Sequence, residues 1–368
     1  MINLYLKDSL TNQLKLFTPI NTNHVNIYAC GITPYDYSHI GHARSAITWD
    51  ILRRYLAYLN YKVVYINNVT DIDDKIIEKS RLTHATALEV SDYYFKEYQK
   101  DLANLNVLPA DNYPKVSTNI DNIIKFIYDL YSMGAAYFIE SGKGVYFNIQ
   151  AFSDYGKLSN RTSQSCSYQD FALWKLTEDN GWDSPWGYGR PGWHIECSTF
   201  IKTYIGDTVD IHCGGSDLLF PHHENEIAQS ETLTGKPLAN YWLHNGIVKI
   251  AGQKMSKSLG NFITIKSVID KYHPMTLRML FLQSGYTKPI NITEESLQAA
   301  ETSYLKLEKA VNLAEYEQLA MDCITSYEFI TSMSDDLNTA KVCSLMFKLF
   351  KEKEYDNLKK IMFLLGLL

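Results

Sequence analysis

The sequence predicts an α/β protein: a doubly wound parallel sheet, interrupted by an inserted α+β domain and closed by a C-terminal helical bundle. Three observations carry this. Val25 to Ala29 is a largely apolar run of strand length, Gly31 and Pro34 end it, and Gly41 to Leu59 carries helical spacing. The alternation repeats at once, with Lys62–Ile66 as a strand and a helix reaching about Arg81. It resumes past residue 176, where a helix over Trp193–Tyr204, a strand over Thr208–His212, a helix from His222 to about Thr234 and a strand over Tyr241–His244 follow in turn. Short strand-to-helix links of this kind build parallel sheets whose ligands sit at the strands' carboxyl ends.

The remaining elements fit around that frame. Residues 2–6 read as a short strand before the first sheet strand. Ala85 to Leu105 and Asn119 to Met133 have helical periodicity, and Tyr137–Ile139 with Gly144–Ile149 reads as a small hairpin, so 86–175 is an inserted connective domain between sheet halves 1–85 and 176–250. Lys249 to Asn261 is a polar, glycine-flanked loop within a segment 251–290. From Ile265 onward everything reads helical (Ile265–Tyr272, Met275–Gln283, Thr293–Tyr316, Tyr327–Met333 and Ala340–Phe350), and 291–368 is expected to be a bundle. There is no internal repeat.

Composition narrows the class. A chain of 368 residues with 46% hydrophobic content is long enough for more than one core. No apolar run approaches membrane-span length, and Met1 to Lys7 lacks a signal-peptide layout, so a cytoplasmic protein with no membrane partner is expected. Six scattered cysteines argue for reduced thiols, some of them metal-bound, rather than a disulfide framework. The net charge of −6 means that any RNA partner must be held by a local basic patch.

Two constellations carry chemistry. His39 and His42 sit where a strand's carboxyl end meets a helix start, a place whose backbone N–H groups and partial positive charge suit a phosphate. Gly41 between them removes a side chain that would intrude, so the site looks built for a nucleotide. His222 and Glu226 are spaced i, i+4 on one helix face, as a metal pair requires, although an ordinary surface pair has the same spacing. Cys30 ends a sheet strand; Cys197 lies on an apolar helix, where a cysteine is usually a small buried hydrophobe. His223, about 100° around the helix from His222, reads as a substrate or outer contact rather than a ligand.

His39-Ile40-Gly41-His42, with Lys254-Met255-Ser256-Lys257-Ser258 far downstream, resembles the paired signatures of class I aminoacyl-tRNA synthetases, whose fold is a Rossmann-like, HIGH-type nucleotidyl transferase domain. Cys30, Trp193-His194-Ile195-Glu196-Cys197 and Pro221-His222-His223-Glu224-Asn225-Glu226 narrow the resemblance to cysteinyl-tRNA synthetases, and it covers essentially the whole chain. The resemblance implies one zinc ion on Cys30, Cys197, His222 and Glu226, ATP used as a substrate with Mg2+, L-cysteine and tRNA(Cys) as partners, and a monomer. It further implies that His39 and His42 contact the triphosphate beside Gly41, and that Lys254 and Lys257 close over it. Gly31, Thr33, Thr70 and Trp193 then line the cysteine pocket, and Gly215 with Asp217 meets the adenosine. From the residues alone, Trp193 and Thr70 read equally as core packing and strand capping, and the lysine loop as a solvated turn. Cys213 is expected to pack; Cys166, Cys323 and Cys343 look structural.

By the same resemblance, 251–290 is the signature loop and stem-contact region. Relatives carry a longer acidic link near 160–171 and continue past a Leu-Gly-Leu-Leu like 365–368 into an anticodon-reading domain, which is therefore expected to be absent or truncated here. Two rivals share the signatures: a ligase joining cysteine to an amino-sugar in thiol-cofactor biosynthesis, and a non-catalytic zinc-binding relative. Loss of His39, His42, Lys254 or Lys257 would favour the second, and all four are present.

Overall fold

The computed structural model describes residues 2–139, 143–160, 169–255, 261–312 and 326–368, the Lys254 side chain apart. The chain opens with a hairpin of β1 (Tyr5–Asp8) and β2 (Gln13–Leu16), so the first strand lies slightly later than the sequence places it and has a partner. Then come β3 (His24–Ile32), α1 (Ile40–Tyr58), β4 (Lys62–Val69), α2 (Asp74–Thr83), α3 (Ala87–Asn104) and α4 (Ile120–Ser132). A four-stranded antiparallel sheet follows, β5 (Ala136–Ile139), β6 (Gly144–Phe147), β7 (Phe171–Leu176) and β8 (Gly189–Pro191), in that spatial order. Only its first hairpin is visible in the sequence. Strands β7 and β8 lack a periodic signature and are fixed by pairing across the sheet.

The chain returns to the parallel sheet through α5 (Ile195–Tyr204), β9 (Val209–Gly215), α6 (Glu224–Thr234) and β10 (Ala239–Asn245). The sheet's order is β10-β9-β3-β4, parallel throughout. Since β4 flanks β3 on one side and β9 on the other, strand order reverses at β3. In open α/β sheets a crevice at such a point holds the ligand.

The remainder comprises β11 (Val248–Ile250), β12 (Gln253–Lys254), α7 (Ile265–Ile269), α8 (Met275–Leu282), β13 (Ile290–Ile292), α9 (Glu294–Asn312), α10 (Tyr327–Ser334), α11 (Thr339–Glu352) and α12 (Tyr355–Leu364). The region past Ile265 is therefore not wholly helical. Strand β13 pairs in parallel with β11, and β12 turns back on β11, so part of the expected polar loop is a small sheet. Three-residue strands have no measurable period, which is why pattern reading passes over them. Among the described residues no helix is long and apolar enough to cross a membrane.

Alternation along β3 feeds two cores. Val25, Ile27 and Ala29 join α1, α8 and the C-terminal helices on one face, while Tyr28 joins α4, α5 and the antiparallel sheet on the other. The first core also holds an ion pair: Arg278 is fully buried with Nη1 2.7 Å from Asp50, and it donates to the carbonyls of Leu105, Asn106 and Leu365. That fork ties α8 to α1 and to the last residues of the chain.

Candidate active site and metal centre

The strand-order reversal opens a cleft of about 610 Å³, well within the range of small-ligand sites. Cys30, Gly31 and Thr33 line it from the end of β3, His39, Gly41 and His42 from the start of α1. Gly215 and Asp217 line it after β9, and Trp193 reaches it from the turn before α5. Thr70 and Asp71, which strand position predicts to face the same crevice, do not line it. Both are buried: the Thr70 hydroxyl donates to Glu196 Oε1 at 2.7 Å, and Asp71 accepts from the Ser117 N–H at 3.0 Å.

The end of β3 is bent for its task. Its register against β4 shifts between Ala29 and Ile32, a bulge that re-aims the intervening side chains. Gly31 fits only as glycine there, because a Cβ would stand 1.6 Å from the Asn68 carbonyl oxygen. Cys30 is thereby turned toward α5 and α6.

At the start of α1 the structure corrects the expectation of open backbone donors. The Gly41 and His42 N–H groups donate to His39 Nδ1 at 3.1 and 3.3 Å, the Ile40 N–H donates to the Ile263 carbonyl at 3.1 Å, and the His39 N–H donates to His42 Nδ1 at 3.2 Å. The two rings stack with centroids 3.7 Å apart. Both Nδ1 atoms accept, so each neutral ring carries its proton on Nε2. The imidazoles thus pass the helix's donor character outward through Nε2–H. A Cβ on Gly41 would meet the His39 ring at 2.9 Å, which accounts for the glycine.

Four donors from three distant segments converge around Cys30, which lines the same cleft. Cys30 Sγ lies 3.8 Å from Cys197 Sγ and 3.4 Å from Glu226 Oε1; His222 Nε2 lies 3.6 Å from Cys197 Sγ and 3.0 Å from Glu226 Oε1. Metal–donor lengths of about 2.3 Å for sulfur and 2.0–2.1 Å for nitrogen give tetrahedral edges of about 3.8 Å between sulfurs and about 3.6 Å from sulfur to nitrogen. The donors already stand at those separations, so the residues fit a tetrahedral soft-metal site.

His222 and His223 fall in a wide helical turn over 219–223 rather than on α6, and the expected angular separation does not keep His223 away: its Nε2 is 3.3 Å from Cys30 Sγ. A second grouping, Cys30, His212, His223 and Glu226, is therefore possible. It has one thiol only, and its His212–Glu226 contact of 2.7 Å is that of a hydrogen bond. The first set matches a metal better, with His212 orienting the Glu226 carboxylate from outside. His194 meets His222 Nδ1 to Nδ1 at 2.9 Å, and His223 continues through His244 to Ser9. Sequence reasoning missed His194, His212 and His244. The signal was available, since His212 and His244 stand near the carboxyl ends of neighbouring parallel strands.

Burial opposes ionisation of Cys197, but hydrogen bonds from Cys30 and His222 bring its thiol down to about 6. Burial and the neighbouring Cys197 push Cys30 well above the ordinary thiol range. Burial would lower His222, yet Glu226 and Cys197 hold it well above the ordinary imidazole range. Both directions favour the protonated forms of Cys30 and His222 near neutrality, so a metal bound there would displace a proton from each. Affinity therefore rises with pH, by about a hundredfold per unit for two displaced protons. Competition against a chromophoric chelator at pH 6.5 and 7.5 measures this, and a flat profile would show that these groups are not the donors.

Trp193 stacks on His222 at 4.8 Å between centroids while remaining 45% exposed, so it is a cleft wall rather than core. Cys213 packs in the α1-side core, as expected, and burial alone raises its thiol. Cys343 is also buried there; Cys166, Cys323 and Lys257, with the Lys254 side chain, lie outside the described residues.

Comparison with known proteins adds an independent line. Residues 16–302 match the family model of the class I (C) tRNA synthetase catalytic domain, and 328–367 match the DALR domain. Curated cysteine–tRNA ligases from Synechococcus elongatus and Microcystis aeruginosa are 46% and 47% identical over 95% and 97% of this chain, covering 79% and 80% of their own lengths. The chain belongs to the cysteine–tRNA ligase family. Methionyl-tRNA synthetase of Mycobacterium tuberculosis, solved with methionyl-adenylate, aligns with this family member at a TM-score of 0.68 over 93% of this chain and 88% of its own. A likeness at 13% identity speaks to the shared fold alone.

Proposed function

We propose that the chain is a cysteine–tRNA ligase. It activates L-cysteine with ATP to cysteinyl-adenylate and pyrophosphate, then transfers cysteine to the 3′-terminal adenosine of tRNA(Cys). One observation carries the reading: a donor set shaped for a soft metal reaches, through Cys30, the same cleft that a stacked histidine pair lines at a helix start.

The amino-acid carboxylate attacks the α-phosphate of ATP, and it is already ionised, so no general base is needed. Rate comes from alignment and from stabilising charge on the phosphates. His39 and His42 donate to phosphate oxygens through Nε2–H, Gly41 leaves room for them, and Lys254 with Lys257 adds positive charge over the triphosphate and its Mg2+. Gly215 and Asp217 border the adenosine; Gly31, Thr33 and Trp193 border the amino acid. Thr70 contributes from behind, by fixing Glu196 beside Cys197. When bound at Cys30, Cys197, His222 and Glu226, zinc supplies a preference for thiolate over hydroxyl that a shape-based pocket could not impose between cysteine and serine. We place the enzyme in the cytoplasm as a monomer, where its tRNA is charged.

Pyrophosphate exchange with cysteine or serine, on zinc-loaded and chelated protein, followed by tRNA charging, tests this. Cysteine-specific exchange lost on chelation, with charging of tRNA(Cys), is the expected result. Exchange without charging points instead to a different acceptor.

A further inference from the structure

Among the described residues Arg44 and Arg278 are almost wholly buried, and they are partnered differently. Arg278 meets the carboxylate of Asp50. Arg44, 2% exposed, has no carboxylate within ion-pair distance among the described residues. Its guanidinium instead forks across three carbonyls: Nη1 donates to Ile247 at 2.9 Å, and Nη2 donates to Tyr286 at 3.2 Å and to Lys288. Two of those carbonyls already have backbone donors, Ile290 N–H on Ile247 at 3.1 Å and Gly246 N–H on Tyr286 at 2.8 Å. Rescue of orphan acceptors therefore does not explain a buried charge, which is costly to desolvate.

What the fork does is mechanical. It clamps the 286–288 segment and the turn at Gly246–Val248 onto α1, two residues past His42. The two segments touch so closely that a Cβ on Gly246 would stand 2.5 Å from the Lys288 carbonyl. A second tie lies alongside, Ser45 Oγ to Asn245 Oδ1 at 2.8 Å. Gly246, Ile247 and Val248 line the cleft on the side of Gly215 and Asp217, whereas Arg44 does not line it. In a planar trans peptide the N–H points opposite to the carbonyl. The Ile247 carbonyl is turned to Arg44 and to the Ile290 N–H, so the Val248 N–H points away from both, and Val248 itself lines the cleft, where a purine's ring edge would present acceptors.

We propose that Arg44 is a positioning residue for purine recognition, holding the Gly246–Val248 backbone edge in register with the His39/His42 phosphate site. This rests on the nucleotide reading of the cleft given above. The role needs the planar fork as well as the charge, since an ammonium cannot span the same carbonyls.

The test is pyrophosphate exchange by the zinc-loaded protein with ATP and with inosine triphosphate, for wild type, Arg44→Met and Arg44→Lys. Arg44→Met is expected to raise KM for ATP about tenfold and to shrink the ATP-over-inosine preference by a similar factor, while KM for cysteine and metal content stay put. Arg44→Lys should fall between the two. Unchanged ATP KM and base preference in both variants, or a parallel loss for cysteine and ATP, overturns the proposal. Should Arg44→Met fail to fold, Arg44→Lys decides alone, because a wild-type base preference there removes the need for the fork. Absence of exchange in the wild type would instead remove the nucleotide reading beneath it.

Discussion

Cys197→Ser is expected to release the metal and, with it, cysteine activation. Loss of a partner that merely orients a metal ligand typically costs 10–100-fold in affinity, so loss of a direct donor should exceed about a hundredfold. Cys197 is the readier thiolate of the pair, held down to about 6, and its sulfur completes both short edges to Cys30 and His222. A serine hydroxyl stays protonated at any working pH and offers no comparable ligand. Cys213→Ser is the control: equally buried, it packs in the α1-side core and belongs to neither donor grouping, so it should lose stability but keep its metal. Metal analysis and exchange rates on both variants measure this. The opposite pattern, metal lost with Cys213→Ser and kept with Cys197→Ser, would mean the donor set is misassigned.

Lys257→Ala should depress pyrophosphate exchange about 10²–10³-fold, the scale for removing one preorganised donor to developing charge. Its metal content and KM for cysteine should be unchanged. Although Lys257 lies outside the described residues, the chain on both sides of it is anchored at the phosphate site. Met255 Cε comes within 3.6 Å of where a Gly41 Cβ would be, Phe262 packs edge-on to the His39 ring at 5.2 Å, and Ile263 accepts from the Ile40 N–H. Simultaneous loss of metal would place the lysine at the other end of the cleft.

Much of this was legible in the residues. Long periodic elements such as α1, α3 and α4 announced themselves, and so did the parallel strands β3 and β4, although β3 runs on through Gly31 to Ile32 before the chain turns at Pro34. Strands β7, β8 and β13 did not, because short strands owe their existence to partners distant in sequence. The four candidate metal donors were proposed from spacing and resemblance, and the structure brings them together. The histidines behind them escaped notice because isolated histidines form no periodic pattern, and only the packing of the 219–223 turn and of Ser9 against β10 reveals the chain from His223 through His244 to Ser9. Thr70 was expected in the cysteine pocket, but its hydroxyl is turned to Glu196 and it does not line the cleft. The proposed phosphate site was argued for an incomplete reason. Its backbone donors are consumed by the imidazoles, which then act in their place.

The central claim is that two thiolates, an imidazole and a carboxylate hold a metal that reads the substrate's sulfur. Zinc-edge X-ray absorption on the loaded protein, before and after addition of L-cysteine, tests it most directly. The account predicts two sulfur neighbours rising to three; a sulfur count that does not change when cysteine binds would contradict it.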